Sequence, residues 1–97
     1  MFKILNPILH NQLRLAIVSL LISVEEAEFK YLKEKTAASS GNLSVQISKL
    51  KDIGYIAVEK TFRDNFPLTT CRITDTGKQA FLEYVEALET YINKADK

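Results

Sequence analysis

Ala37-Ala38-Ser39-Ser40-Gly41-Asn42-Leu43-Ser44-Val45-Gln46-Ile47-Ser48-Lys49-Leu50-Lys51-Asp52-Ile53-Gly54 joins a tight polar turn to a helix with a marked beginning and end. Small polar residues at 37–41 favour a turn, and a serine hydroxyl at Ser39 suits the N-cap of a helix predicted over 40–53. Leu43, Ile47, Leu50 and Ile53 recur at three-and-four spacing and share one face, the expected core side. Gly54 then supplies a residue that adopts a left-handed C-terminal cap freely. Gly41, Val45, Ser48 and Asp52 point the other way, with Asn42, Ser44 and Lys49 at the flanks. Such a face is either solvated surface or the kind of short, polar surface that fits a DNA groove. Short side chains permit close approach, and amides and hydroxyls bond base edges or phosphates.

Downstream, Tyr55 to Phe62 is rich in β-branched and aromatic residues and reads as a strand. Arg63 to Pro67 is a turn-forming break, and Leu68 to Ile73 returns, so residues 55–73 form a hairpin. Thr74 caps a final helix over 75–93. Its expected inward stripe is Phe81, Val85, Leu88 and Ile92, with Ala80, Tyr84, Ala87 and Tyr91 beside it. Upstream, residues 29–36 read as a short helix with Phe29 and Leu32 inward. Residues 25–28 form a polar connection with room for a brief strand. Asn6-Pro7 predicts the start of a first helix over 7–23, because Asn caps well and Pro suits the first helical position. That helix carries two apolar stripes: Leu9, Leu13, Ala16, Ile17, Leu20 and Val24, and offset from it Ile8, Leu15, Val18 and Ile22. One stripe fits the domain's own core, and the second asks for a partner.

The order helix, short helix, turn, helix, hairpin, helix is that of a winged helix-turn-helix, an α+β fold that is mostly α. Ninety-seven residues, 46% of them apolar and 26% charged, fit a single domain over 1–97 whose own core is small. No apolar run approaches the roughly 18–20 residues that cross a bilayer, and Met1-Phe2-Lys3 does not open a secretory signal. The single Cys71 excludes an internal disulfide framework, and the cytoplasm is the expected compartment. Cys71 and His10 do not make a metal site at any usual spacing, so no cofactor or metal is expected. With no acidic pair set off by a signature and no glycine-rich phosphate loop, the chain does not read as an enzyme. Cys71, next to Arg72, reads either as a redox-sensitive thiol or as a small apolar residue. The net charge of +1 makes no case for nucleic acid by itself. The central third is locally basic, however: Lys49, Lys51, Lys60, Arg63 and Arg72 outnumber Asp52, Glu59 and Asp64.

Leu13 to Leu21, Phe29-Lys30-Tyr31-Leu32, Gly41 to Leu50, Gly54-Tyr55-Ile56 and Ile73-Thr74-Asp75-Thr76-Gly77 resemble the small winged-helix regulators related to the MarR and ArsR groups. The resemblance runs over roughly residues 7–92. It implies a dimeric bacterial or archaeal transcription factor that binds double-stranded DNA. The third helix would enter the major groove, and the hairpin wing would reach the backbone or minor groove. Carried onto this sequence, the DNA-binding residues are Ser40, Gly41, Asn42, Ser44, Val45, Ser48, Lys49, Lys60, Arg63 and Arg72. Asn42, Ser44, Val45 and Ser48 are the expected base readers, and Arg63 at the wing tip and Lys49 the expected phosphate anchors. The homodimer interface is expected from Ile8, Leu15, Val18 and Ile22 of the first helix and Tyr84, Ala87 and Tyr91 of the last. The paired cysteines of the metal-sensing ArsR branch are absent, which disfavours metal sensing, and the resemblance assigns no small-molecule effector. The competing function is a winged-helix protein-interaction module without sequence-specific DNA binding.

Overall fold

The computed structural model describes residues 1–92. Its elements are α1 (Gln12–Val24), β1 (Glu26–Glu28), α2 (Phe29–Thr36), α3 (Ser40–Asp52), β2 (Ile56–Arg63), β3 (Phe66–Ile73) and α4 (Asp75–Ile92). The strands form one antiparallel sheet in the order β1-β3-β2. Helix, strand, helix, turn, helix and hairpin thus make a winged helix, closed by α4. No described helix is long and apolar enough to cross a membrane.

The first helix begins later than the sequence suggests. Asn6 does act as a cap, its Oδ1 accepting from the N–H groups of Ile8 (2.8 Å) and Leu9 (3.4 Å), but it caps a single turn. That turn closes with the His10 N–H on the Asn6 carbonyl (2.8 Å). Asn11 then takes an extended conformation (φ −151°) and caps α1 afresh by accepting from the Arg14 N–H. Two asparagines close together offer the backbone two competing local bonds, and the chain uses both. The turn still serves the core, because Leu9 is fully buried with Ile17, Val18 and Leu21.

The predicted α1 stripes therefore do not divide as expected. Val18, assigned to a dimer interface, is wholly enclosed in the chain's own core, and Val24, assigned inward, is exposed. Ile8, Leu15 and Ile22 are half-buried against that core. On α4 the two rows exchange roles. Gly77, Ala80, Tyr84 and Ala87 face inward, whereas Leu88 and Ile92 are exposed. Tyr84 and Ala87 are thus core residues and not dimer surface. The cause is local. A Cβ at residue 77 would lie 2.1 Å from the Tyr55 carbonyl oxygen, so only glycine lets α4 start against that strand entry. Once Gly77 faces in, the helical period brings Ala80, Tyr84 and Ala87 in with it. The Tyr84 hydroxyl meets His10 Nδ1 at 3.0 Å, which satisfies the one polar atom this row buries.

Leu43, Ile47 and Leu50 form the core face of α3, and Leu32 is buried on α2. Ile53, expected on that face, is 43% exposed, because α3 ends at Asp52 and Ile53 is its C-cap. Gly54 follows at φ +89°, its N–H on the Lys51 carbonyl. The start of α4 is tied down by Thr74, whose Oγ1 accepts from the Gly77 N–H (3.0 Å) and donates to the Gly54 carbonyl (2.7 Å). The predicted end of that helix at residue 93 lies outside the described residues.

The second strand of the hairpin is longer and its turn tighter than the sequence suggests. Only Asp64 and Asn65 lie between the strands, both with positive φ (52° and 69°), the backbone of a two-residue type I′ turn. Phe66 and Pro67 belong to β3, not to the turn. With Arg63 and Phe66 as the bonded closing pair, Phe62 and Pro67 form the next, non-bonded pair. Pro67 therefore turns its missing donor away from β2. On its other side β1 reaches only Thr70 to Arg72, so no ladder bond is lost there.

Candidate nucleic-acid interface

The outward side of α3 is built almost wholly from short side chains. Ser40, Gly41, Asn42, Ser44, Val45, Ser48 and Lys49 are all exposed. The Ser39 hydroxyl accepts from the Asn42 N–H (3.1 Å), leaving the N–H groups of Ser40 and Gly41 without helical partners at the positive end of the helix dipole. Nothing lies within 4 Å of a Cβ built on Gly41, so the fold does not demand glycine there. Its absent side chain clears space on the surface instead.

Between α3 and the wing runs a cleft of about 290 Å³, whose lining includes Ser44, Ser48, Lys51, Lys60 and Thr69. Two of these residues are lysines. Lys51 was missed by the sequence reading, although it lies three residues after Ser48 and seven after Ser44, the spacing of one helix face. Val45 is half-exposed on the same helix, where an apolar side chain can meet a thymine methyl.

The basic residues of the wing divide between the two faces of the sheet. Lys60 pairs with Thr69, on the face turned to α3. Arg63 and Arg72 have the opposite parity, and each meets an acid of β1 there. Arg63 Nη2 lies 2.7 Å from Glu28 Oε2, and Arg72 Nη1 lies 4.0 Å from Glu26 Oε1. Exposed pairs of this kind are worth at most about 1 kcal/mol, so Arg63 can exchange its partner for a phosphate, with Asp64 beside it. Arg72 is near the base of the wing and far from the tip. The sequence grouped Lys60, Arg63 and Arg72 together; the register separates them.

At the tip, Phe62 and Phe66 are each 73% exposed and flank the Asp64-Asn65 turn. Cys71, by contrast, is fully buried in β3, and burial pushes its thiol pKa up to about 11. Arg72 does not activate it, since adjacent strand residues project to opposite faces. The redox reading of Cys71 has no support in this geometry. Among the described residues no group of three His, Cys, Asp or Glu side chains could hold a metal ion.

Comparison with known proteins agrees with this architecture. The family model described as a winged helix DNA-binding domain matches residues 13–92. An uncharacterised protein of Methanocaldococcus jannaschii is 35% identical over 78 residues, spanning 80% of this chain and 85% of that protein. The solved structure of a transcriptional regulator homologue from Pyrococcus horikoshii OT3 superimposes with a TM-score of 0.84 at 29% identity, covering 93% of this chain and 89% of that one. The transcriptional regulator BldR from Sulfolobus solfataricus shares the fold, with a TM-score of 0.72 at 22% identity over 88% of this chain and 60% of its own.

Proposed function

Since this chain belongs to the winged-helix DNA-binding domain family, whose fold is that of transcriptional regulators and not of enzymes, we propose that it binds double-stranded DNA sequence-specifically as a homodimer. In this reading α3 enters the major groove, and the β2–β3 wing reaches the backbone or the minor groove. The observation that carries it is the small polar face of α3, bordered by the cleft that holds Lys51 and Lys60. Ser40, Gly41, Asn42, Ser44, Val45 and Ser48 meet bases or the adjoining backbone, and Lys49, Lys51, Lys60 and Arg63 meet phosphates. Arg72 drops from the set because, although it shares a face with Arg63, it lies at the base of the wing beside Glu26 of β1 and not at the tip. The protein works in the cytoplasm as one domain over 1–97, in the manner of the MarR-like and ArsR-like regulators it resembles.

Two recognition helices related by a two-fold axis suit a palindromic site with half-sites about one helical turn apart. The test is a fluorescence-anisotropy titration with the DNA upstream of the protein's own coding region, against a scrambled duplex, across a salt series. A sequence preference that survives rising salt supports the regulator. Equal, salt-sensitive affinity for both duplexes, or none, favours the protein-interaction module instead. The exposed Phe62 and Phe66 at the wing tip are the observation on that second reading's side.

A further inference from the structure

A chain of hydrogen bonds connects α1 to the reading face of α3. Arg14 is half-buried; its Nε donates to the Ile8 carbonyl (2.6 Å) and its Nη1 to Gln46 Oε1 (2.6 Å). Gln46 Nε2 donates in turn to Asn42 Oδ1 (3.1 Å). The direction of this chain is not arbitrary. A guanidinium has donors only, so the group that Gln46 turns to Arg14 must be its oxygen. The Gln46 nitrogen then faces Asn42, and Asn42 must answer with its own oxygen. Reversing either amide would set donor against donor. The charge on Arg14 also polarises both later bonds in the same sense.

We propose that Arg14 and Gln46 are positioning residues that hold the Asn42 amide with its N–H2 group towards the groove, so that Asn42 selects guanine. This rests on the DNA-binding reading above and deepens it. In the major groove guanine offers two acceptors, N7 and O6, whereas cytosine offers a donor. Adenine is read by asparagine through a bidentate pair that needs the side-chain oxygen and nitrogen turned outward together. Here Oδ1 is directed along the helix to Gln46, so that pair is not available. Thymine, with O4, and adenine, with N7, each offer a single acceptor and rank below guanine.

The test selects duplexes from a pool of randomised sequence, then measures the four base variants at each selected position by anisotropy. For the unaltered protein, one position in each half-site should prefer guanine over adenine by about tenfold, within the range for a specific base contact. Asn42→Ala should flatten that position alone. Gln46→Glu keeps an acceptor for Arg14 but has no donor for Asn42. The Asn42 amide then turns round, and the preference at that position moves to adenine or cytosine while the others stay. Should Gln46→Glu fail to fold by circular dichroism, Asn42→Asp at the exposed site presents acceptors only and should move the preference the same way. A contact that merely fastened α1 to α3 would change stability and leave base preference alone. The proposal is overturned if the Asn42-sensitive position prefers adenine, if no position responds to Asn42→Ala, or if guanine is still preferred after a folded Gln46→Glu or Asn42→Asp substitution. Enrichment of no duplex by the unaltered protein is a different failure: it removes the DNA-binding reading and this proposal with it.

Discussion

Gly77 shows how one residue sets the orientation of an element. Its N–H closes on the Thr74 hydroxyl, and its missing Cβ leaves room for the Tyr55 carbonyl, which a methyl group would approach to 2.1 Å. The obstructing atom is backbone held by the α3–β2 connection, so it cannot swing aside as a side chain would. Gly77→Ala should therefore destabilise the fold by about 2 kcal/mol or more, in spite of alanine's better helix propensity. Urea denaturation followed by circular dichroism measures this, and an unchanged or higher midpoint would show that α4 is seated differently. Cys71 makes the opposite kind of statement, about chemistry withheld. With its thiol buried and its pKa raised to about 11 from 9.0 by desolvation, almost no thiolate forms near neutral pH. Alkylation by iodoacetamide at pH 8 should be slow in the native protein and become fast in urea. The sign of the linkage follows from the same shift. The unfolded thiol loses its proton first, so this residue's contribution to stability declines as pH rises from about 9 towards 11. Cys71→Val should remove that part of the alkaline decline.

Among the elements, the wing carries a distinction that composition hides. β2 and β3 pair in strict register, so Lys60 and Arg72 lie on opposite faces of the same hairpin. If Lys60 contacts a phosphate, Lys60→Ala should lower the salt slope of DNA binding by about one per contact, hence about two for a symmetric dimer. Arg72→Ala should leave both slope and affinity nearly unchanged. Equal effects of the two would mean that the wing meets DNA edge-on. The sequence made the turn–helix of residues 37–54 legible because capping and periodicity act locally: Ser39 and Gly54 bound a helix whose core face needs nothing else to define it. The same local logic placed α2, the hairpin and the Thr74 cap. What it could not give was rotation about a helix axis when two apolar rows compete. On α4 the choice between the Phe81 row and the Tyr84 row was settled by the fit of Gly77 against Tyr55, a contact between residues 22 positions apart. In the candidate interface, the small residues of α3 were legible as an exposed face. The link from Arg14 to Asn42 was not, since it depends on how α1 lies across α3.

At the scale of the molecule, the swap of rows on α4 changes where a second copy would bind. The Cα radius of gyration is 15.0 Å and the longest dimension 59 Å, against about 12.5 Å for the radius of a compact domain of this length. The excess reflects a wing and a terminal helix that project from the core, and α4 packs chiefly on α1. Its outer side carries Leu82, Leu88 (37% exposed) and Ile92 (66% exposed), with half-buried Phe81 and Val85 between them. The N-terminal segment adds to this face. Phe2 stacks on Tyr91 with ring centroids 4.8 Å apart, the Tyr91 hydroxyl donates to the Lys3 carbonyl (2.8 Å), and the Lys3 N–H donates to Thr90 Oγ1 (3.1 Å). The homodimer seam proposed above is therefore expected from the outer row of α4 and residues 2–4, with Ile8, Leu15 and Ile22 at its margin and Tyr91 shared with the original assignment. Fully burying one such leucine or isoleucine is worth about 1.5–3 kcal/mol, and the symmetric contact counts each twice. A charge placed there should be prohibitive, because it would lose its hydration opposite its own copy. Leu88→Glu should sediment as a monomer at tens of micromolar, where the unaltered chain sediments at twice the chain mass. Its own fold, in which Leu88 lies outside the enclosed core at 37% exposure, should persist by circular dichroism. Uncoupling the two half-sites should then weaken binding to a palindromic duplex far more than binding to an isolated half-site. An unaltered chain that sediments as a monomer, or a Leu88→Glu variant that remains a dimer, would place the seam elsewhere or abolish it.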